Sequence, residues 1–228
     1  TTNSCFLPPI HKIEVDNIVN NPKGLHNTPQ KKEQRQMMLD GEQPDGCSYC
    51  WNIEKMDRSF NSDRHYRSSE PWAQAGWNDV LEKGADGDIE PRFMEINFNH
   101  ACNLACSYCS PHLSSKWAED IEQNGPYPTI VPHNSIDYFK QIKQYPIPHR
   151  EHNPYVEAFW EWWPYLRKTL KVIRVTGGEP LLQQNVWKFL SKLEQTGECS
   201  EMVLQINTNL NVKNKLVSRM CDSVNKLL

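Results

Sequence analysis

Three closely spaced cysteines have the clearest potential for chemistry in this sequence. Cys102, Cys106 and Cys109 form a C-x3-C-x2-C cluster. These positions would share one face of an α-helix, so the thiols could simply pack into a core. Asn103 and Ser107 are unfavourable inside a helix, however, and this favours a loop. Three thiolates on a loop can hold three corners of a 4Fe–4S cluster and leave the fourth iron open.

Two further polar segments each follow an apolar run. The first is Gly177, Gly178, Glu179 and Pro180, and the second is Asn207-Thr208-Asn209. Two glycines permit positive φ and close approach of the backbone to a ligand. Glutamate supplies an acceptor, and proline can begin the next helix. Taken alone, Gly-Gly-Glu-Pro is equally typical of an ordinary turn between a strand and a helix.

The elements that would position these segments alternate between strands and helices. Strands are predicted at 94–98, 170–175 and 202–206. An amphipathic helix follows each of the last two strands. The apolar face of the first helix carries Val186, Phe189, Leu190 and Leu193, and that of the second carries Val212, Leu216, Met220 and Val224. This alternation is typical of a parallel α/β fold. Functional residues of such folds lie at the carboxyl ends of the strands, so the three polar segments should converge there.

A long connection, 110–168, separates the first two strands. Ser135 can cap a helix that carries Ile136, Phe139 and Ile142. The run Phe159–Trp163 predicts a buried helix face that is interrupted at Pro164.

The part before the first strand is mixed and loop-rich. Thr28-Pro29 predicts the start of a polar helix over 30–40, and Cys47 and Cys50 form a C-x2-C pair. The stretch 57–70 is rich in arginine and serine and predicts a solvated surface. The glycines in 84–88 indicate a boundary, so we expect domains at 1–89 and 90–228.

Composition narrows the class of protein. The chain has 228 residues, a formal net charge of −3 and eight cysteines. The near-neutral charge gives no sign of a nucleic-acid partner, and no stretch is apolar enough to cross a membrane. The first residues lack the features of a signal peptide, so a cytoplasmic protein is expected. In a reducing compartment, clustered cysteines more often hold metal than form disulfides. The isolated Cys221 is expected to lie on the apolar face of the last helix and to pack into the core.

The cysteine cluster, combined with the two polar segments that follow predicted strands, resembles the motifs of the radical S-adenosylmethionine enzymes. The matching residues are Cys102, Cys106 and Cys109 for the cluster motif, Tyr108 as the aromatic before the last cysteine, and Gly177, Gly178, Glu179 and Pro180 for the glycine-rich motif. The resemblance implies that the open iron chelates S-adenosylmethionine. It also implies that Gly-Gly-Glu-Pro contacts the methionyl amino group, that Tyr108 lies near adenine and that Asn207 belongs to the cofactor site. A 5′-deoxyadenosyl radical would then abstract hydrogen from a substrate, with the electron coming from a donor such as flavodoxin or ferredoxin.

The N-terminal part is similar to a twitch domain, the shortened relative of the SPASM domain. In that family it binds an auxiliary iron–sulfur cluster, which implies a small α+β domain with Cys47, Cys50 and the upstream Cys5 as ligands. A cluster needs about four ligands, and this sequence has no cysteine between Cys5 and Cys47, where such domains have one or two more.

The resemblance also implies a partial parallel (β/α) barrel of the TIM type. Residues 90–228 provide 139 positions, against about 250 for an eight-stranded barrel, so we expect the first three strand–helix units of a C-terminally truncated barrel. Two alternatives stay open: a zinc-binding structural module built on the C-x2-C pairs, and an inactive fragment of a radical enzyme. The substrate is not encoded in these motifs, and the resemblance alone favours a peptide or protein.

Overall fold

The computed structural model describes residues 13–57, 60–128, 135–141, 153–196 and 201–227. These residues divide into two compact units. The first unit comprises the described residues of 1–93 and 152–171, and the second those of 94–151 and 172–228. Cys5, Ile142 and Cys199 lie outside the described residues, so the expectations placed on Cys5 and Ile142 stay predictions.

Before Phe93, the regular secondary structure that the structure describes in the first unit is helical. Its α-helices are α1 (Pro29–Leu39), α2 (Ser48–Met56), α3 (Asp63–Ser68), α4 (Pro71–Lys83) and α7 (Pro154–Leu166), and short 3-10 turns occupy Val15–Asn17, Pro22–Leu25 and Asp45–Cys47. Strand β1 (Phe93–Asn97) begins only at the last residue of this stretch. Residues 13–57 and 60–89 therefore differ from the mixed α+β domain that the resemblance implies.

Helix α1 begins where Thr28-Pro29 predicted, whereas α7 continues past the interruption predicted at Pro164. The hydroxyl of Thr28 accepts a hydrogen bond from the Lys31 amide at 3.2 Å, so it caps α1 as expected. Helix α7 does not stop at Pro164 but runs on to Leu166. Proline removes only its own N–H, which would bond the carbonyl of residue 160, and the helix ends two residues later. The predicted burial of this helix is confirmed, since Trp162 and Leu166 are fully buried.

The second unit is built on a small parallel sheet. It contains β1, α5 (Ser115–Asn124), α6 (Ile136–Gln141), β2 (Val172–Thr176), α8 (Gln184–Thr196), β3 (Val203–Ile206) and α9 (Asn214–Leu227), with a 3-10 turn at Pro180–Leu182. The strand order is β1-β2-β3. Strands β2 and β3 are parallel and in register from Val172 opposite Val203 to Val175 opposite Ile206. The predicted strand–helix alternation is confirmed, whereas three strands alone do not establish a barrel.

Helix α8 provides much of the core of this unit. Its four predicted apolar residues, Val186, Phe189, Leu190 and Leu193, are all at most 1% exposed. Ile173 and Val175 of β2 are fully buried as well. Side chains alternate across a strand, so Arg174 and Thr176 lie on the other face of the sheet.

Helix α9 corrects the prediction for Cys221. Its thiol is exposed and does not belong to a core. The less exposed stripe of α9 passes through Leu216, Met220 and Ser223. Cys221 is one residue, and thus about 100°, away from Met220, which turns it off that stripe. No helix in the described ranges has the length and apolarity needed to cross a bilayer.

Candidate functional site

The cysteine cluster lies in the loop that connects β1 to α5. Cys102, Cys106 and Cys109 are partly buried free thiols outside any helix, in agreement with the loop prediction. The Cys109 amide donates to the Cys106 carbonyl at 2.9 Å, which closes a tight turn around the last two cysteines. Cys109 packs against the buried cluster that contains Trp117. One side of this loop thus rests on the core of the second unit.

The first turn of α5 fixes the backbone of this loop. The Ser115 hydroxyl accepts from the Cys102 amide at 3.0 Å and lies 3.2 Å from the Cys102 carbonyl. The Ser114 hydroxyl donates to the Leu104 carbonyl at 3.0 Å, and the Trp117 indole donates to the Cys106 carbonyl at 2.7 Å. Sequence reasoning missed these anchors, although Ser114 before Trp117 is an ordinary helix-start signal.

The glycines after β2 lie directly against the segment that leads into the cysteine loop. Gly177 has a φ of +110°, and a Cβ there would come 2.2 Å from the Asn97 side-chain oxygen. A Cβ on Gly178 would come 2.2 Å from the Ala101 carbonyl oxygen. The positive φ agrees with the sequence argument, and the structure adds that Gly177 approaches the Asn97 side chain and Gly178 the Ala101 backbone. The two glycines therefore allow the cysteine loop to sit against the end of β2.

Hydrogen bonds reinforce this junction. The Glu179 amide donates to the Ala101 carbonyl at 2.7 Å. The fully buried Gln183 side chain accepts from the Asn99 amide at 3.2 Å and donates to the Asn99 carbonyl at 3.0 Å. Gln183 escaped the sequence analysis because a single glutamine after a turn carries no distinctive pattern.

The Glu179 carboxylate joins the end of β2 to the loop after β3. The side chain is fully buried. One oxygen accepts from the Leu181 amide at 2.9 Å and from the Thr208 hydroxyl at 2.6 Å, and the other accepts from the Asn209 amide at 2.8 Å. Such bonds satisfy a charge that would otherwise be costly to bury. Within the described residues, this carboxylate thus acts as an internal clamp.

The loop after β3 also contacts the cysteine loop directly. The Asn209 amide group donates to the Asn103 side-chain oxygen at 3.1 Å, and Asn103 donates in turn to the Asn211 carbonyl. Asn209 is itself held by Glu179. The three polar segments predicted to converge at the carboxyl ends of β1, β2 and β3 are therefore joined by side-chain and backbone hydrogen bonds.

The other predicted cofactor-site residues occupy different environments. Tyr108 is 91% exposed, and its interaction with the Cys106 side chain raises the pKa of its hydroxyl. Pro180 is buried at the start of its 3-10 turn. The Asn207 side chain is exposed, and its backbone amide donates to the Val175 carbonyl at 3.0 Å, extending the pairing of β3 with β2.

Two histidines flank the cysteines. Burial lowers the pKa of His100 to about 4, with a smaller contribution from the charge of His112. The His100 side chain lies 2.7 Å from the Asn97 amide group through Nε2. His112 stacks on Phe139 with ring centroids 4.5 Å apart, and its Nδ1 lies 2.5 Å from the Ser110 hydroxyl.

The sheet face opposite the buried side of β2 carries a polar network that sequence analysis did not identify. Arg174 lies between the neighbouring strands, 3.3 Å from the Glu95 carboxylate and 3.0 Å from the Gln205 side-chain oxygen. The Thr176 hydroxyl donates to Glu95 at 3.3 Å. The alternation along each strand contained the signal, but which strands are neighbours was known only from the fold.

The donor set of the cysteine loop fits an iron–sulfur cluster. Burial raises the pKa of the Cys109 thiol, and charges on Cys102 and Cys106 raise it further. Sulfur ligands favour iron–sulfur clusters and zinc. In the part of the chain that the structure describes, no three histidine, cysteine, aspartate or glutamate side chains are grouped as for a single metal ion.

The N-terminal C-x2-C pair lies at the start of α2. Cys47 is partly buried at the residue before the helix, and Cys50 is buried in the first turn. Trp51 is also buried, and its indole donates to the Pro44 carbonyl at 3.0 Å, which fixes the turn before the pair.

Two residues in the segment after α2 have partners that the sequence analysis did not identify. Ser62 is fully buried and donates to the Glu54 carboxylate at 2.5 Å. Arg64 donates to the same carboxylate at 2.6 Å and lies over the Trp51 ring at 4.3 Å. The interpretation of 57–70 as solvated surface is confirmed for most of its described residues. Ser62 is the buried exception, and Arg64 is partly covered, because Glu54 and Trp51 supply partners that local composition does not reveal.

Comparison with known proteins finds distant relatives by sequence. The chain is 25% identical over 119 residues to a GTP 3′,8-cyclase of Acidothermus cellulolyticus, 24% over 115 residues to one of Helicobacter pylori and 25% over 116 residues to one of Staphylococcus epidermidis. Each match covers 50–52% of this chain and 26–27% of the relative. No protein-family model and no solved structure matches the chain.

The matched region thus spans about a quarter of the length of these curated relatives. They are radical S-adenosylmethionine enzymes, and the similarity supports a radical enzyme in general. It carries no information about a twitch domain. Across about half of its residues, the chain is a distant homologue of these cyclases.

Proposed function

We propose that this protein is a radical S-adenosylmethionine enzyme whose 4Fe–4S cluster is held by Cys102, Cys106 and Cys109. The observation that carries the proposal is that these partly buried thiols share one loop, which is hydrogen-bonded both to Gly-Gly-Glu-Pro and to the loop after β3. Distant homology to radical S-adenosylmethionine enzymes supports it independently.

When bound, the cluster would supply the electron that cleaves S-adenosylmethionine to a radical able to abstract hydrogen. The protein's own residues hold the thiols in place. Ser114, Ser115 and Trp117 fix the loop from the side of α5, and the Glu179 amide fixes it from the side of β2. These contacts preorganise the backbone of the loop that carries the three thiols.

The internal role of Glu179 refines the assignment of the methionyl amino group. Its carboxylate is buried and already accepts three hydrogen bonds. We therefore assign the proposed contact of this segment to backbone carbonyls of Gly177 and Gly178, with Glu179 as the residue that positions them. Tyr108 and Asn207, both exposed, stay candidates for the adenosyl end.

The substrate and the electron donor belong to the proposal as well. The family resemblance favours a peptide or protein substrate, whereas the name of the matched relatives makes GTP the obvious nucleotide to test. A flavodoxin or ferredoxin is the proposed electron donor.

We also propose an auxiliary iron–sulfur cluster in the N-terminal part. Its ligands would be Cys47 and Cys50 together with Cys5. Cys47 and Cys50 lie close together at the start of α2, and the hydrogen bond from the Trp51 indole to the Pro44 carbonyl fixes the preceding turn. This placement supports the assignment.

Anaerobic reconstitution followed by iron and sulfide analysis tests both sites. Wild type should bind about eight irons, and the triple variant Cys102→Ala/Cys106→Ala/Cys109→Ala about four. Cys221→Ala is the matched control, because Cys221 is an exposed thiol remote from both motifs in sequence, and it should leave the iron content unchanged.

The other outcomes separate the two assignments. About four irons falling to none in the triple variant would retain the radical site and remove the auxiliary one. Uptake of zinc without iron would contradict the enzyme and favour the structural module. Addition of S-adenosylmethionine should change the electron paramagnetic resonance spectrum of the reduced cluster, and an unchanged spectrum would contradict its binding there.

A further inference from the structure

A group of basic side chains lies in the first unit. His26 follows the turn Pro22–Leu25, and Lys31 and Arg35 lie one helical turn apart on α1. The Lys31 ammonium is 3.2 Å from Nδ1 of His26. All three side chains are partly buried. They form what we call the basic cluster.

Trp162 of α7 adds a donor without an acceptor. Its side chain is fully buried, and its indole nitrogen has no hydrogen-bond partner among the described residues. The Trp162 and His26 ring centroids are 6.5 Å apart. Buried indole N–H groups are normally paired, so an unpaired one beside a histidine points to a missing acceptor.

The basic cluster also lacks a directly bound carboxylate. Within the described ranges, the only hydrogen-bond partner of the Lys31 side chain is His26. Arg35 donates to neutral oxygens, on Gly87 at 3.0 Å and on the Asn27 side chain at 3.2 Å.

The nearest acidic groups act at longer range. Asp86 and Asp88 influence Arg35, but Asp88 is already paired with Lys32 at 2.9 Å. Burial lowers the pKa of Lys31 to about 8, and the Arg35 charge contributes in the same direction. Burial also lowers the pKa of His26 well below its usual range. Among the described residues, the positive charge of Lys31 therefore has no directly bonded carboxylate.

We propose that the basic cluster, together with the Trp162 indole, binds a small oxyanion of the phosphate type. Such an ion would accept hydrogen bonds from Lys31 and Trp162 and would offset the repulsion between Lys31 and Arg35. The proposal does not rest on the radical chemistry proposed for the cysteine loop, because none of these residues is among the proposed cluster ligands or cofactor contacts.

Competitive acetylation of the full chain tests the proposal. Lys31 and Lys32 are neighbours on α1, and mass spectrometry can measure their acetylation rates separately. Only a neutral amine is acetylated, and a bound oxyanion both covers Lys31 and keeps it protonated. Inorganic phosphate should slow the acetylation of Lys31 in a saturable manner and leave Lys32, the internal control, unchanged.

Variants and a second ligand sharpen the test. Trp162→Phe should weaken the protection by about tenfold, because one hydrogen bond to a charged ligand is lost. Trp77→Phe, at an exposed tryptophan of α4, should not alter it. Protection at lower concentration by a nucleoside triphosphate than by free phosphate would identify a nucleotide as the source of the oxyanion.

Three results would overturn the proposal. One is equal slowing of Lys31 and Lys32, which would indicate general screening. Another is equal protection by chloride at matched ionic strength. The third is no protection of wild type, a measurement that does not depend on whether any variant folds.

Discussion

Replacement of Glu179 by glutamine probes the junction of the three functional segments most directly. The carboxylate is fully buried and accepts from the Leu181 amide, the Thr208 hydroxyl and the Asn209 amide. A glutamine of nearly the same shape has one acceptor oxygen and one NH2 group. Either orientation of Glu179→Gln therefore places an NH2 group against a backbone or hydroxyl donor.

The magnitude follows from those contacts. If the glutamine oxygen keeps the bonds to Leu181 and Thr208, the Asn209 amide loses a hydrogen bond to a charged acceptor. Such a bond contributes about 1.5–3 kcal/mol, and an unsatisfied buried donor costs about 1–3 kcal/mol. We expect Glu179→Gln to lower the free energy of unfolding by about 2–4 kcal/mol, a large part of the stability of an ordinary domain.

Urea unfolding followed by circular dichroism measures the global effect, and amide hydrogen exchange locates it. Exchange should accelerate most at Asn209, because its amide loses the acceptor. Glu119→Gln is the matched control. The Glu119 side chain is largely exposed and pairs with Lys116 on α5, so its loss should cost less than about 1 kcal/mol.

The reasoning would be refuted by a Glu179→Gln protein as stable as the Glu119→Gln control with unchanged exchange at Asn209. That result would mean that the buried carboxylate is not the clamp of this junction. A large loss of stability without faster exchange at Asn209 would also contradict it, because the damage would then lie elsewhere.

Two further predictions concern a glycine and an ion pair. Gly178→Ala should lower iron uptake on reconstitution, because its Cβ would lie 2.2 Å from the Ala101 carbonyl, whereas Gly76→Ala in α4, with its nearest contact at 3.6 Å, should not. Arg64 lowers the pKa of Glu54 through their hydrogen bond, so the pair's stabilisation is present above the unfolded pKa of about 4.3 and is lost as pH falls further. Acid unfolding monitored by circular dichroism should therefore show a smaller loss below pH about 4 in Glu54→Gln than in wild type; an identical acid transition would contradict the assignment.

Local patterns predicted the elements of the second unit well. The apolar face of α8 matches its buried residues, and β1, β2 and β3 begin and end within two residues of the predicted bounds. Periodicity carries this information because a helix or strand buries residues at fixed intervals. Residues that mark the ends of elements were less reliable, since Pro164 falls within the last turn of α7 and does not end the helix.

The contacts that build the candidate site depend on residues far apart in the chain. Asn103 and Asn209 are 106 positions apart, and nothing near either one predicts their hydrogen bond. The contact of Arg64 with the Trp51 ring was hidden for the same reason. So was the Trp162 indole, which has no hydrogen-bond partner among the described residues.

The sequence by itself determined which residues have ligand chemistry and that they follow successive parallel strands, because residue type and local periodicity are properties of short segments. Only the tertiary structure decided that Gly177 and Gly178 admit the cysteine loop and that the Glu179 carboxylate is consumed internally. It also placed Lys31 in a basic cluster that has no directly bound carboxylate among the described residues. Those properties depend on which distant groups share a buried space, and burial sets both the cost of an unpaired group and the strength of a paired one.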